Sequence, residues 1–304
     1  MTENEFILSD RIAKIQSINA IYGLEHNAYV SFSGGKDSTV LHYLIDEALP
    51  GNKIPRVFFN TGIEYKAILS FVREMAAKDE RFVIYTVGKN IRETLQAVGY
   101  PFKSKEHSQK LYEWKRGIHS KSHRKYFREE ADGFSPCPKA LMYQIQPDFN
   151  LNISHFCCYE FKKKPAKDYS KESGRKITIT GMMKAEGGQR TTLNCIVTDS
   201  KSGKVKKFHP MAVVSQEWEN WYISQKSIKL CELYYPPYSF ERTGCKGCPY
   251  NLHLQEYLDT LEKALPAERK QCEFIWKPVY DEYRRIGYRL RKEDNQPSLF
   301  GGQI

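Results

Sequence analysis

The feature that most constrains this chain is a strand that runs into a glycine turn and then directly into a helix. Residues 28–33 (AYVSFS) read as a buried strand, Ser33-Gly34-Gly35-Lys36-Asp37-Ser38 as the turn, and 37–49 (DSTVLHYLIDEAL) as a helix with Asp37 or Ser38 in its first turn. The alternation then repeats. RVFFN (56–60), RFVIYTV (81–87) and KITITGM (176–182) read as further strands, with helical patterns at 65–78 and 90–99. Strands alternating with helices predict an α/β fold: an open, mostly parallel sheet with helices on both faces.

Around this core the reading is coarser. Apolar positions Phe6, Ile7, Ile12, Ile15, Ile18 and Ile21 predict an N-terminal helix over 5–24. Residues 103–135 turn basic and aromatic, which suggests an insertion over the site. Residues 194–211 suggest two strands joined at Ser202-Gly203, and two helices are expected near 253–264 and 266–287. The expected division is therefore an N-terminal helix (1–25), a nucleotide-binding α/β domain (26–215) and a small, mostly helical, cysteine-containing segment (216–304).

The chain has 304 residues, 40% of them hydrophobic, enough for a sizeable core. No run approaches the roughly 18 apolar residues of a membrane helix. The charged start of the sequence lacks the apolar stretch of a signal peptide. The expectation is a soluble, cytoplasmic protein. A net charge of +11 favours polyanionic ligands: nucleotide phosphates or a nucleic acid backbone.

The residue types at 33–38 suit phosphate. Two glycines let the backbone turn tightly and approach phosphate oxygens. Exposed N–H groups at a helix N-terminus hold negative charge, Lys36 adds a point charge, and the serine hydroxyls donate. The spacing is not that of a Walker A loop. Of the eight cysteines, Cys157-Cys158 are adjacent and Cys245-Lys246-Gly247-Cys248 form a C-x-x-C, with Gly244 and Gly247 to supply the bends. Such a turn places two thiolates on one metal centre, and the second pair must arrive through tertiary folding. Unliganded thiols are the plain alternative.

S-G-G-x-D-S after a strand resembles the pyrophosphate loop of the adenine nucleotide α-hydrolase superfamily, which includes ATP pyrophosphatases and the phosphoadenylylsulfate and adenylylsulfate reductases. Asn60-Thr61-Gly62-Ile63-Glu64 resembles a segment of the reductase branch, as do Gly99-Tyr100-Pro101 with Ser104-Lys105, and Gly181 followed by Glu186 and Arg190. The resemblance implies a nucleotide site formed by Ser33, Gly34, Gly35, Lys36, Asp37, Ser38, Asn60, Thr61, Gly62, Glu64, Lys105, Gly181 and Glu186. Lys36, Asp37 and Arg190 are its implied catalytic groups. The cysteine arrangement is similar to the [4Fe–4S] site of adenylylsulfate reductases and of relatives in DNA phosphorothioation systems, including the flanking Thr243-Gly244. It implies Cys157, Cys158, Cys245 and Cys248 as ligands. A four-cysteine zinc site is the alternative. Lys162, Lys163 and Lys164 follow the first pair, either to offset its charge or simply as a solvated run.

Reductases of this family use a cysteine in a C-terminal E-C-G-x-H segment. Here the last cysteine is Cys272, inside a predicted helix. The expectation is therefore an ATP pyrophosphatase, with ATP (or adenylylsulfate) and Mg²⁺, that adenylates a substrate for sulfur transfer. The candidate acceptor is a nucleic-acid backbone phosphate, and the candidate sulfur donor a cysteine desulfurase. The basic-aromatic stretch 103–128 has the composition of a nucleic-acid groove or of a lid. The alternatives are an adenylylsulfate or phosphoadenylylsulfate reductase and a nucleotide-sensing or DNA-binding subunit of a modification or defence complex. Cys137, in a loop-like context, is the candidate persulfide carrier. His119 and His123 have metal-ligand spacing but basic neighbours that oppose a cation.

Overall fold

The computed structural model describes residues 1–127, 137–187 and 190–292, with only the backbone of Glu186. In chain order the elements are α1 (Glu3–Tyr22), α2 (Leu24–Asn27), β1 (Ala28–Ser31), α3 (Lys36–Ala48), β2 (Arg56–Asn60), α4 (Lys66–Lys78), β3 (Phe82–Thr86), α5 (Ile91–Val98), α6 (Lys105–Trp114), α7 (Lys121–Tyr126), α8 (Lys164–Ser173), β4 (Ile177–Ile179), β5 (Ile196–Thr198), β6 (Val205–Phe208), α9 (Gln216–Gln225), α10 (Leu254–Ala264) and α11 (Pro266–Ile286). The expected N-terminal helix starts earlier. A capping box between Thr2 and Glu5 opens it, and Gly23 closes it in the left-handed region at φ 57°.

The residues gather into two compact units, each made of two stretches: Met1–Gly88 with Phe161–Gly244, and Lys89–Glu160 with the chain from Cys245 onward. This grouping differs from the contiguous division at 25 and 215. Helices α10 and α11 pack with the segment that begins at Lys89, while α9 packs on α3 beside the sheet.

The first unit is built on a six-stranded sheet in the order β3-β2-β1-β4-β6-β5. All pairings are parallel except β5 with β6, the hairpin expected over 194–211. Alternate side chains of β1 face opposite ways. Val30 joins Leu41, Leu44, Ile15, Ile18, Ile179, Phe208, Trp218 and Tyr222 in a core under α1, α3 and α9. Its neighbour Tyr29 meets Tyr169 of α8 edge to face at 5.0 Å, and Phe59 and Tyr85 join the same aromatic group. Helices therefore cover both faces, as the strand–helix alternation predicts. From β1 the chain steps outward through β2 and β3, and then returns to place β4 on the other side of β1. That reversal opens a crevice beyond the carboxyl ends of β1 and β4, where open α/β sheets bind ligands.

The second unit is helical, with one isolated parallel bridge between Tyr100 and Ile153. Its interior holds the aromatic residues of the basic stretch. Trp114, Tyr126 and Phe127 are buried, whereas Lys115, Arg116, Lys121 and Lys125 are exposed. Trp114 stacks on His119 with ring centroids 4.0 Å apart. The part of the stretch that falls on 128–136 lies outside the described residues. Among the described residues, no helix is long and apolar enough to cross a membrane.

Candidate functional site

The turn after β1 is held largely by its own side chains. Ser38 Oγ donates to Gly35 O at 2.9 Å and accepts the Ser33 N–H at 3.2 Å, and Thr39 Oγ1 donates to the same carbonyl at 3.0 Å. Gly34 sits at φ 71°, and a Cβ there would lie 2.8 Å from Ile68 Cγ2 on α4. Only glycine meets both demands. Gly35 caps α3, and the Lys36 N–H at that helix end donates to Tyr234 Oη at 2.9 Å. Tyr234 Oη is in turn 2.7 Å from Thr243 Oγ1. A phenol oxygen therefore stands at the helix N-terminus, where an anion would also be held.

Lys36 reaches back to α9. Its Nζ lies 3.1 Å from Glu219 Oε2 and donates to Asn220 Oδ1 at 3.4 Å. The Glu219 side chain is fully buried, and its Oε2 is the oxygen that meets Lys36 and accepts from Gln216 Nε2 at 2.6 Å. Glu219 also abuts Asp37. Burial raises the Asp37 carboxyl above its ordinary value, against the pull of Arg242 and Lys36. Burial, and then the Asp37 charge, push Glu219 up to about 7. Two buried carboxyl groups thus flank one lysine beside the turn. Sequence reading missed Glu219, Tyr234 and Arg242, because none lies in a string that marks a phosphate loop.

The other predicted residues fall into three groups. Gly181 is brought to the turn: a Cβ there would stand 2.6 Å from Asp37 O, so this close approach also demands glycine. In the segment after β2, both carboxylate oxygens of Glu64 are taken up by Thr61, at 3.0 Å from its N–H and 2.7 Å from its hydroxyl. Glu64 therefore shapes its own loop, and Asn60 caps the Gly62 N–H at 3.3 Å. Arg190 follows β4 and is half-buried, and the Glu186 side chain lies outside the described residues. Lys105 opens α6 in the second unit, behind its cap Ser104.

The four cysteines assigned to a metal all lie in the second unit. The Cys158 thiol beside it and burial drive the Cys157 thiol strongly upward, and Cys245 and Cys248 add to the effect, so the four sulfurs share one electrostatic environment. A π-helical turn, Tyr159–Lys163, follows the first pair. The second pair sits on a loop gripped by α11. Trp276 Nε1 donates to Lys246 O at 2.9 Å, Tyr280 Oη to Gly247 O, and Tyr283 Oη to Pro249 O at 3.0 Å. Gly247 is at φ 62°, where a Cβ would lie 2.7 Å from Cys272 Sγ. Among the described residues no three His, Cys, Asp or Glu side chains converge as the ligands of a single ion would.

Other sequence candidates are absorbed into structure. Cys137 is fully buried rather than exposed on a loop, which removes the access that a persulfide carrier needs. His123 is held by Glu113 and Ser120, both at 2.7 Å, and His119 bonds Trp114 O at 3.1 Å.

An open parallel sheet with a glycine-bent turn at its topological switch point defines an adenine nucleotide α-hydrolase-like protein. Within that class the chain belongs to the phosphoadenosine phosphosulfate reductase domain family, whose model matches residues 27–133 and 137–251. An uncharacterized protein of Methanocaldococcus jannaschii is 26% identical over 256 residues, which cover 83% of this chain and 48% of that one. The chain thus spans about half the length of the curated relative it matches. Among solved structures it is similar to the phosphoadenylyl-sulfate reductase of Candida auris in its phosphate complex, with 17% identity and a TM-score of 0.44 over 76% of this chain and 88% of that one. It is also similar to an NH3-dependent NAD synthetase of Campylobacter jejuni, with 13% identity and a TM-score of 0.42 over 94% and 97% of the two chains.

Proposed function

We propose that the protein is a cytoplasmic ATP pyrophosphatase that adenylates a substrate for sulfur transfer, with a nucleic-acid backbone phosphate as the favoured acceptor. The observation that carries this reading is the turn itself. Gly34 and Gly181 let the chain pack tightly, Gly34 against Ile68 and Val72 of α4 and Gly181 against the Asp37 backbone, and this packing fixes the turn and the Lys36 N–H at the start of α3. The turn and the start of α3 hold the pyrophosphate portion of ATP through backbone N–H groups, with Tyr234 giving way. Lys36 leaves Glu219 for the phosphates and stabilises the charge that develops on the leaving pyrophosphate. A substrate oxygen attacks the α-phosphorus, the bond to pyrophosphate breaks, and an adenylated substrate forms. A sulfur nucleophile then displaces AMP. Arg190 is assigned to the phosphate or acceptor oxygens.

Asp37 and Glu219 fit Mg²⁺: both are carboxyl groups, and each raises or meets the other beside the turn, where a cation would relieve their mutual charge. The ion, when bound, neutralises phosphate charge. Cys157, Cys158, Cys245 and Cys248 fit a [4Fe–4S] cluster better than zinc. Each of the other three thiols raises that of Cys157, and four cysteines are the ligand set of such a cluster. Such a cluster would tie together two distant stretches of the second unit.

Pyrophosphate release from ATP, with and without DNA, set against sulfite release from adenylylsulfate and phosphoadenylylsulfate, tests the reading. Pyrophosphate release is expected. Sulfite release without it overturns the reading in favour of a reductase, and binding without turnover in favour of a sensor subunit.

A further inference from the structure

The second unit has a cavity of its own, of about 310 Å³, between the end of α6 and the segment 147–153. Tyr112, Lys115 and Arg116 line one side, and Pro147, Phe149 and Asn150 the other. Lys115 clasps the two sides together: its Nζ donates to Gln146 O at 3.1 Å and to Phe149 O. The same ammonium stands 5.1 Å from the centre of the Phe149 ring. Arg116 is tied as well. Its guanidinium carbon lies 3.4 Å from the centre of the Tyr112 ring, the separation of stacked planes, and its Nη1 donates to Tyr112 O at 3.2 Å. The Tyr112 ring in turn meets Phe156 edge to face at 5.0 Å. A long cation that is merely solvated keeps its rotamer freedom. Here two are fixed, each against a ring, at the edge of one hollow.

These parts suit one class of ligand. The volume lies at the low end of small-ligand sites, roughly 300–1,000 Å³. It admits one base with its sugar and excludes a duplex. Proteins recognise unpaired bases by stacking them on aromatic rings and guanidinium planes, with cations beside the backbone. An arginine stacked on a ring keeps a second planar face for a base. A lysine has three N–H donors, and the two carbonyls take two of those on Lys115.

We propose that this cavity receives one unpaired nucleotide of a single-stranded nucleic acid, with the base stacked on Arg116, its edge bonded by the Asn150 amide and its phosphate met by Lys115. The inference takes its partner from the nucleic-acid reading given above, but it needs none of the ATP chemistry.

The experiment uses the full-length protein without ATP. A short single-stranded DNA substituted with iodouracil is bound at low salt and irradiated, and the crosslinked peptide is located by mass spectrometry. Fluorescence anisotropy with the same strand compares wild type, Arg116→Ala, Arg116→Lys and Lys121→Ala, the last an exposed lysine of α7 that does not line the cavity. A crosslink at Tyr112 or Phe149 is expected. Arg116→Ala should bind about tenfold more weakly. Arg116→Lys, which keeps the charge and loses the plane, should not recover the loss, and Lys121→Ala should lose less. Crosslinks confined to other parts of the chain overturn the inference, and that readout needs no variant to fold. Wild-type affinity in Arg116→Ala or Arg116→Lys overturns it too. So does a free mononucleotide that competes as well as the strand, which would make the cavity a site for small nucleotides. Protein that binds no strand yet releases pyrophosphate from ATP overturns this inference alone. A crosslink in the cavity of protein that releases no pyrophosphate supports it and overturns the proposed activity instead.

Discussion

The turn at Ser33–Ser38 and the loop at Cys245–Cys248 both bend through a glycine in the left-handed region, Gly34 and Gly247, yet they are held by different means. The first is tied by hydroxyls within its own six residues and the next one: Ser33, Ser38 and Thr39 close on Gly35 or on one another. In the second the Cys248 N–H donates to Cys245 O at 3.2 Å. Its carbonyls are taken by Trp276, Tyr280 and Tyr283, one face of a helix some thirty residues downstream. A self-tied turn can be lost only by changing it. A loop tied from outside can be lost by a change that never touches it.

The sharpest way to break the comparison is at the glycines. Gly34→Ala forces an alanine into φ 71° and drives its Cβ to 2.8 Å from Ile68. The two costs together amount to about 2–5 kcal/mol. Urea denaturation should show that loss, and calorimetry should show no nucleotide binding. Iron content per chain should be unaffected in the fraction that folds. Gly247→Ala should do the reverse, losing iron and keeping nucleotide affinity. If either variant lost both properties, the two loops would not be the separate devices that their supports suggest.

The next effect is electrostatic and belongs to the first loop alone. Glu219 titrates near 7 in the fold against an ordinary value of 4.5, because burial and then Asp37 disfavour its charge. The folded state therefore holds the Glu219 proton more tightly than the unfolded chain does. That stability is fully present below pH 4.5 and is lost as pH rises through about 7. The loss approaches roughly 3 kcal/mol. Chemical denaturation of metal-free protein between pH 5 and 8 should show this fall for wild type, and a much flatter profile for Glu219→Gln. A wild-type profile that rises across that window would place Glu219 in a charged, well-paired state instead.

Tyr280→Phe tests the second loop from outside it. The change removes the donor to Gly247 O and leaves a buried carbonyl unpaired, which costs about 1–3 kcal/mol. Content of the proposed cluster, or its retention on dilution, should fall, with nucleotide affinity unchanged. An intact cluster would mean that Trp276 and Tyr283 suffice to hold the loop.

The same contrast explains what could be read in advance. The sheet, its strand–helix alternation and the turn at 33–38 are local patterns, and each is written in consecutive residues. The pairing of Gly181 with Asp37 was visible as a motif but not as a contact, since only the order β1-β4 brings them together. Glu219 and Tyr234 were out of reach. Each lies in an ordinary helical or aromatic stretch, and only the packing of α9 and the segment after it aims them at Lys36. The basic-aromatic stretch was legible only in part: composition reports charge and rings together, while the fold buries Trp114 and Tyr126 and leaves Lys115 and Arg116 exposed. The grouping of 89–160 with the chain from Cys245 onward was likewise hidden, because each half of that unit lacks a sheet pattern of its own.

The smallest predicted effect concerns the phenol that ties the backbone of the turn from outside. Tyr234 Oη accepts the Lys36 N–H at the start of α3 and is 2.7 Å from Thr243 Oγ1. If the phenol occupies the position a phosphate oxygen takes, then nucleotide binding in wild type must first break that bond. Tyr234→Phe removes the competitor and leaves the N–H without a partner until a phosphate arrives. A gain of about 1 kcal/mol, roughly fivefold in ATP affinity, is expected by calorimetry. A drop of similar size would instead make Tyr234 a phosphate contact in its own right. In that case the turn at 33–38, like the cysteine loop, would depend on a distant side chain for its function, though not for its shape.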